Sequence, residues 1–193
     1  TSSDTVVGYA NDAYKTAGMS ANEYMETVTS FSASLLASMN NDTAAAAEKA
    51  NVAITDMSDN ANKMGTDISL IQNAYNGFAK QNYTMLDNLK LGYGGTKEEM
   101  QRLLDDASKL SGIKYDISSY SDVVDAIHVV QTEMGITGTT AKEASTTIEG
   151  SVSSMSSAWD NWVAGMADSE ANFSQLTSNL VDSIVTVVGN IAP

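Results

Sequence analysis

The stretch AKEASTTIEGSVSSMSSAWDNWVAGM, residues 141–166, decides the fold class. Its apolar side chains recur at alternating steps of three and four residues, which places them on one face of an α-helix. The stripe consists of Ala141, Ala144, Ile148, Val152, Met155, Trp159, Trp162 and Met166. The pattern predicts a long helix near residues 139–167, roughly 40 Å in length.

Shorter apolar stripes with the same spacing fill much of the remaining chain. They lie at residues 24–39, 47–64, 68–78, 100–110, 123–134 and 180–191. The single proline is the last residue, so no interior proline interrupts a helix, and glycines separate the stripes instead. The alternating segment IKYDI, residues 113–117, predicts either an extended connection or a minor strand. We predict an all-α fold, an elongated bundle of about six to eight helices.

Helix starts are predicted by a hydroxyl residue followed three positions later by Glu. In such a capping box the hydroxyl accepts from the third amide of the helix, and the Glu carboxylate accepts from the amide of the cap. The three pairs are Ser20 with Glu23, Thr96 with Glu99, and Thr140 with Glu143.

A boundary is predicted close to residues 135–139, where two glycines fall together. Residues 1–138 should form a compact multi-helix unit. Residues 139–193 should form the long helix and a return helix, which either pack on the first unit or extend away from it. A chain that opens on Thr1 is expected to be a fragment of a longer protein.

Charge and composition exclude several classes of function. The chain has 24 acidic and 10 basic residues, a net charge of −14, and no basic run. Stable binding to nucleic acid or to an anionic membrane needs clustered Lys and Arg, so neither is expected. Cysteine is absent, which excludes disulfides and thiolate metal sites.

No set of residues has the spacing of a catalytic or cofactor site, so we expect no enzyme activity, cofactor or metal. His128 is the only histidine, and we expect a helix-flank side chain with an ordinary hydrogen-bond partner. Asp56 and Asp59 lack the glycine and the distal Glu of a calcium loop, and we expect them on a solvated helix face.

Four residues of the long stripe form a candidate interface: Met155, Trp159, Trp162 and Met166. Trp is enriched among the residues that contribute most to protein–protein binding. The alternative, which we favour for the two Trp side chains, is core packing against the earlier helices.

Three segments resemble the core region of bacteriophage tail tape-measure proteins, from long-tailed phages and prophages. The segments are residues 17–36, 57–104 and 135–151, and the longest specific motifs in them are GFAKQNYTMLDNLKLGYGGT (77–96) and GITGTTAKEAS (135–145). The resemblance implies a virion structural protein with roles in tail assembly, tail-length determination and genome ejection. It implies tail-tube, tail-tip and tail-chaperone partners, a location inside the tail and in the host cytoplasm during assembly, and no catalytic residues.

In the virion, a homotrimer or homohexamer would match the symmetry of a tail. The alternative function is a bacterial surface or secreted helical module that binds a protein partner.

Overall fold

The computed structural model describes residues 1–168 and 171–192, and in these ranges it is helical with no strand. The all-α prediction is therefore confirmed, although the described residues form nine α-helices, not about six to eight. A single 3-10 turn, Leu86–Leu89, lies between α4 and α5. The helices are α1 Ser2–Thr16, α2 Ala21–Ser38, α3 Thr43–Met64, α4 Ile68–Ala79, α5 Lys97–Ser111, α6 Tyr120–Glu133, α7 Thr139–Thr146, α8 Ile148–Ala167 and α9 Phe173–Ile191.

Residues 1–138, which we call the body, enclose one large apolar core. α3 is central and contacts α1, α2, α4, α6 and α7. Small side chains on α3 allow close helix approach: Ala46, Ala47, Ala50 and Ala53. The largest fully buried side chains are Tyr24, Phe31, Leu35, Ile54, Met57, Ile71, Tyr75, Phe78, Leu86, Leu89, Met100 and Leu103. The residues of this core run from Ala10 to Ile136, so the body encloses its own apolar interior.

The prediction of one long helix near residues 139–167 is wrong, because the segment forms two helices that are separated at Thr147. This residue has an extended backbone, with φ −113° and ψ 153°, and its hydroxyl accepts from the Gly150 amide at 3.0 Å. Gly150 then lies against the Glu143 carbonyl, where an added Cβ would be 2.4 Å from the carbonyl oxygen. α7 and α8 therefore meet at a corner that requires glycine at position 150.

The predicted capping boxes have three different outcomes. Ser20 and Glu23 form both hydrogen bonds of the box, as predicted. Thr96 caps α5, but the Glu99 carboxylate accepts from the Gly94 amide and from Arg102. The box at Thr140 and Glu143 is wrong, because Gly138 is the cap residue of α7 and Thr140 lies inside its first turn. Residues 113–116 have no regular secondary structure and Ile117 begins a turn, so this segment is a connection and the minor strand is not formed.

The C-terminal helices contact the body on one side. α7 packs on α1 and α3, and α8 packs on α1. The Asn161 side-chain oxygen accepts from the Ala21 amide at 2.8 Å, which joins α8 to the start of α2. Tyr14, Ala158 and Leu180 form a second, small apolar cluster. The C-terminal helices are thus packed on the first unit, while a domain division at residue 138 stays a prediction.

Candidate interaction site on the C-terminal hairpin

α8 and α9, which we call the hairpin, pack against each other through small and polar side chains. The buried residues of α8 are Ser151, Ser154, Ser157, Ala158, Asn161 and Gly165, and those of α9 are Asn179, Leu180, Ser183 and Val187. At one end, the Asn190 amide donates to the Thr147 carbonyl and to the Ser151 hydroxyl, both at 3.1 Å. Near the other end, the backbone of Gly165 lies close to the Leu176 side chain. The seam therefore leaves little room for large apolar residues.

Most of the large apolar residues of the hairpin are exposed, although Leu180 and Val187 are buried. Eleven of them are exposed, and we call this set the hairpin apolar face: Ile148, Val152, Trp159, Val163, Met166, Phe173, Val181, Ile184, Val185, Val188 and Ile191. The members on α8 are three, four or seven residues apart, so they share one side of that helix. The hairpin is consequently polar within its seam and apolar on part of its surface, which reverses the usual arrangement of a water-soluble helix pair.

Aromatic contacts join the two helices at this face. The Trp162 ring lies 5.4 Å from the Trp159 ring and 5.6 Å from the Phe173 ring, measured between centroids. The Trp162 indole N–H donates to the Thr177 hydroxyl at 3.1 Å, which fixes the indole across the two helices. The exposed stripe of α8 is therefore joined to Phe173, the first residue of α9, through these rings.

The four predicted interface residues occupy one side of α8, with different exposures. Trp159 and Met166 are 53% and 57% exposed, so core packing, the favoured alternative, is wrong for Trp159. Trp162 and Met155 are half-buried against the small cluster formed with Tyr14. An interface role for these residues stays a prediction. The exposed residues of α9 extend the surface beyond the four that the sequence indicated.

The hairpin itself carries charge of only one sign, while Lys15 of α1 lies beside Tyr14, which packs on Leu180. From Glu143 to the end of the chain there are six acidic residues and no Lys, Arg or His: Glu143, Glu149, Asp160, Asp168, Glu170 and Asp182. Asp160 directly follows Trp159, and Asp182 directly follows Val181. Both carboxylates are exposed, and each is about 100° around its helix from an exposed apolar residue, so they lie on the flanks of the apolar stripes.

Two buried carboxylates in the body contradict the prediction of a solvated helix face. Asp56 and Asp59 on α3 are 1% and 0% exposed. The Asp59 carboxylate accepts from the Gly138 amide at 2.8 Å and from the Thr140 amide at 3.0 Å, so it caps α7 from another helix. This contact helps to orient the segment that leads into the hairpin, and no local sequence pattern signals it.

The single histidine, His128, pairs with Asp56. The sequence predicts an ordinary hydrogen-bond partner for His128, and the structure confirms that it has one. Both carboxylate oxygens lie 3.0 Å from the His128 Nδ1 atom. This hydrogen bond raises the pKa of His128, with further contributions from the charges of Asp56 and Asp125, while partial burial and Lys49 oppose the shift. Burial raises the pKa of Asp56, and its bond to His128 opposes that change. The pair joins α3 to α6 within the body.

Neither a metal-binding cluster nor a membrane-spanning helix occurs in the described part of the chain. The described residues contain no group of three or more His, Cys, Asp or Glu side chains placed to hold a metal ion. None of the helices in the described ranges is long and apolar enough to cross a bilayer. A cleft of about 850 Å³ between α2, α4 and the α7–α8 corner has only glutamates as charged lining residues: Glu23, Glu26, Glu143 and Glu149.

Comparison with protein-family models gives no match, and no curated protein or solved structure matches the chain. The resemblance to tape-measure proteins therefore depends on the three sequence segments alone.

Proposed function

We propose that this chain is a structural module of a bacteriophage tail tape-measure protein, and that it works by helix–helix contact through the hairpin apolar face. The observation that carries the proposal is the exposure of eleven large apolar side chains on two adjacent helices. The sequence resemblance supports the placement in a tail, and the hairpin supplies a physical means of assembly.

Exposure on this scale has a free-energy consequence. Covering one Val, Leu, Ile, Phe or Met side chain contributes roughly 1.5–3 kcal/mol. Contiguous exposed apolar patches on soluble proteins commonly mark interaction sites. The rings of Trp159, Trp162 and Phe173 connect the exposed stripe of α8 to the start of α9. A partner that covered it would gain much of this free energy without rearrangement of the body.

The body acts in this proposal as a rigid support. Its core is closed around α3, and specific polar contacts attach the C-terminal helices to it. Asp59 holds the start of α7, and Asn161 attaches α8 to the start of α2. These contacts are directional, so they fix the side of the hairpin that faces outward. Tail-tube, tail-tip and tail-chaperone proteins are the proposed partners, inside the tail and in the host cytoplasm during assembly.

The proposal is tested in a phage whose genome encodes the chain. The variant Trp159→Asn with Val185→Asn removes two exposed members of the face, which are 53% and 63% exposed. The matched control is Leu70→Asn with Ile113→Asn, which changes two exposed apolar residues of the body. We expect the hairpin variant to give few complete tails by electron microscopy, and the control to give normal tails.

Two results would contradict the proposal. Normal tails in the hairpin variant would show that assembly does not depend on the face. Absence of the chain from purified virions, together with its presence on the bacterial surface or in the medium, would favour the alternative of a secreted or surface interaction module.

A further inference from the structure

We propose that the hairpin apolar face binds an amphipathic helix of a partner protein whose apolar stripe is flanked by Lys or Arg. This inference rests on the proposed function of the face as a contact surface, and it adds the chemistry of the partner. Three features carry it: the dimensions of the face, its two-helix construction, and the sign of the charge around it.

The dimensions fit a helix. α8 has 20 residues and α9 has 19, so each is roughly 30 Å long. A helix of about 20 residues that lies along this pair would present apolar residues at steps of three, four and seven, which is a recurrent mode of peptide recognition. The aromatic end of the face contains Trp159 and Phe173, and the opposite end contains Ile148 and Ile191. The face thus offers large flat rings at one end and branched side chains at the other.

The charge selects the flanks of the partner. Asp160 and Asp182 follow exposed apolar residues directly, and no basic residue occurs after Lys142. Lys or Arg beside the apolar stripe of a partner would meet these carboxylates, and such complementarity increases both the association rate and the specificity of binding.

The same charge disfavours two other occupants. A second copy of the chain would bring the same acidic segment and a net charge of −14, and opposed like charges cost free energy. An anionic bilayer attracts basic segments, and this segment has none. A basic amphipathic helix is the occupant that satisfies both the apolar stripe and the acidic border.

The experiment uses the intrinsic fluorescence of the chain. Of its two tryptophans, Trp159 belongs to the face and the half-buried Trp162 contacts it with ring centroids 5.4 Å apart, so their emission reports on this surface. The probes are three synthetic helical peptides of about 20 residues with the same Leu stripe and with Lys, Gln or Glu on the flanks. We expect the Lys peptide to shift the emission to shorter wavelength and to bind about tenfold more tightly than the Gln peptide. The Glu peptide should bind most weakly.

Two variants separate the apolar and the electrostatic contributions. Val185→Asn should lower the affinity of the chain for the Lys peptide about tenfold, while the body variant Ile113→Asn should leave this affinity unchanged. Asp160→Lys with Asp182→Lys should remove most of the preference for the Lys peptide over the Gln and Glu peptides, because it changes the charge of the segment from −6 to −2. Circular dichroism of each variant shows whether it remains folded.

Three results would overturn the inference. The Lys and Gln peptides could bind equally, the chain could form a dimer that Val185→Asn dissociates, or uncharged lipid vesicles could shift the emission while the peptides do not. Equal binding of the peptides, combined with defective tails in the hairpin variant, would reject only the basic partner. Normal tails would reject the proposed function itself.

Discussion

The body buries Phe78 at 1% exposure, whereas the hairpin leaves Phe173 41% exposed. The difference extends to the two regions as wholes. The body encloses its large apolar side chains around α3, and the hairpin buries Ser, Asn and Gly residues and exposes Val, Ile and Trp. Because apolar burial is the main favourable contribution to folding, the body should be stable by itself and the hairpin should depend on its attachments and on a partner.

The largest expected effect comes from a matched pair of Phe substitutions. Phe78→Ala should lower the free energy of unfolding by about 3–5 kcal/mol, because it removes a buried ring and leaves a cavity. Phe173→Ala should cost about 1 kcal/mol or less, since its ring is partly exposed and contacts only Trp162 among the aromatic side chains. Urea denaturation followed by circular dichroism measures both. Equal losses would remove the contrast between the regions.

A smaller effect is expected where the body holds the segment that leads to the hairpin. Asp59→Ala leaves the buried amide of Thr140 and the amide of Gly138 without their acceptor, so it should destabilise α7 by about 1–3 kcal/mol. Asp59→Asn retains one acceptor oxygen, so it should lower the stability of α7 by less than Asp59→Ala does. In amide hydrogen-exchange measurements, the exchange rate should increase first in α7. An increase spread evenly over the body would show that Asp59 is a core residue only, not a link.

Two glycines within helices give opposite predictions for the C-terminal region. Gly150→Ala should destabilise the α7–α8 corner by about 1–3 kcal/mol, because the new Cβ meets the backbone of Glu143. Gly189→Ala, where nothing lies within 4 Å, should stabilise α9 by about 1 kcal/mol or less through helix propensity. Thermal denaturation monitored by tryptophan fluorescence compares the two variants. A stabilising effect of Gly150→Ala would mean that residues 139–167 form one continuous helix after all.

The smallest effect is a pH dependence confined to the body. The raised pKa of His128 means that the protonated imidazole stabilises the fold below its unfolded pKa of about 6.5, and that this contribution is lost as pH rises through the folded pKa. Its size should be about 1 kcal/mol or less, because the imidazole side chain is 38% exposed.

The test is the free energy of unfolding at several pH values between about 6 and 9, for the wild-type chain and for His128→Gln. The two stabilities should converge as the pH rises. The charged groups that act on the imidazole are Asp56, Asp125 and Lys49. A difference in stability that grows with pH would contradict the raised pKa of His128.

Helical periodicity in the sequence was sufficient to predict most of the body. The stripes at residues 24–39 and 47–64 coincide closely with α2 and α3, because apolar residues, large in α2 and mostly alanine in α3, recur there at steps of three and four. α1 was not predicted, since only three of its residues are buried, against eleven in α3. The break at Thr147 was not predicted either, because the step from Ala144 to Ile148 continues the helical spacing across it.

The candidate site was predictable only in part. Spacing placed Met155, Trp159, Trp162 and Met166 on one side of a helix, but it could not show which side another helix would cover. The seam of the hairpin selected the small residues, such as Ser154 and Gly165, and this depends on the partner helix α9. The burial of Asp59 depends on amides about 80 residues away, which a local pattern does not contain.

The contrast between the regions is tested most directly by amide hydrogen exchange on the isolated chain. Helices with few buried apolar contacts open more readily, so the account predicts that α8 and α9 exchange on the order of a hundred times faster than α3 and α6. It also predicts that the Lys-flanked peptide slows exchange in α8 and α9 and leaves α3 and α6 unchanged. If α8 and α9 are as protected as α3 in the isolated chain, the hairpin is stable without a cover and the central claim is wrong.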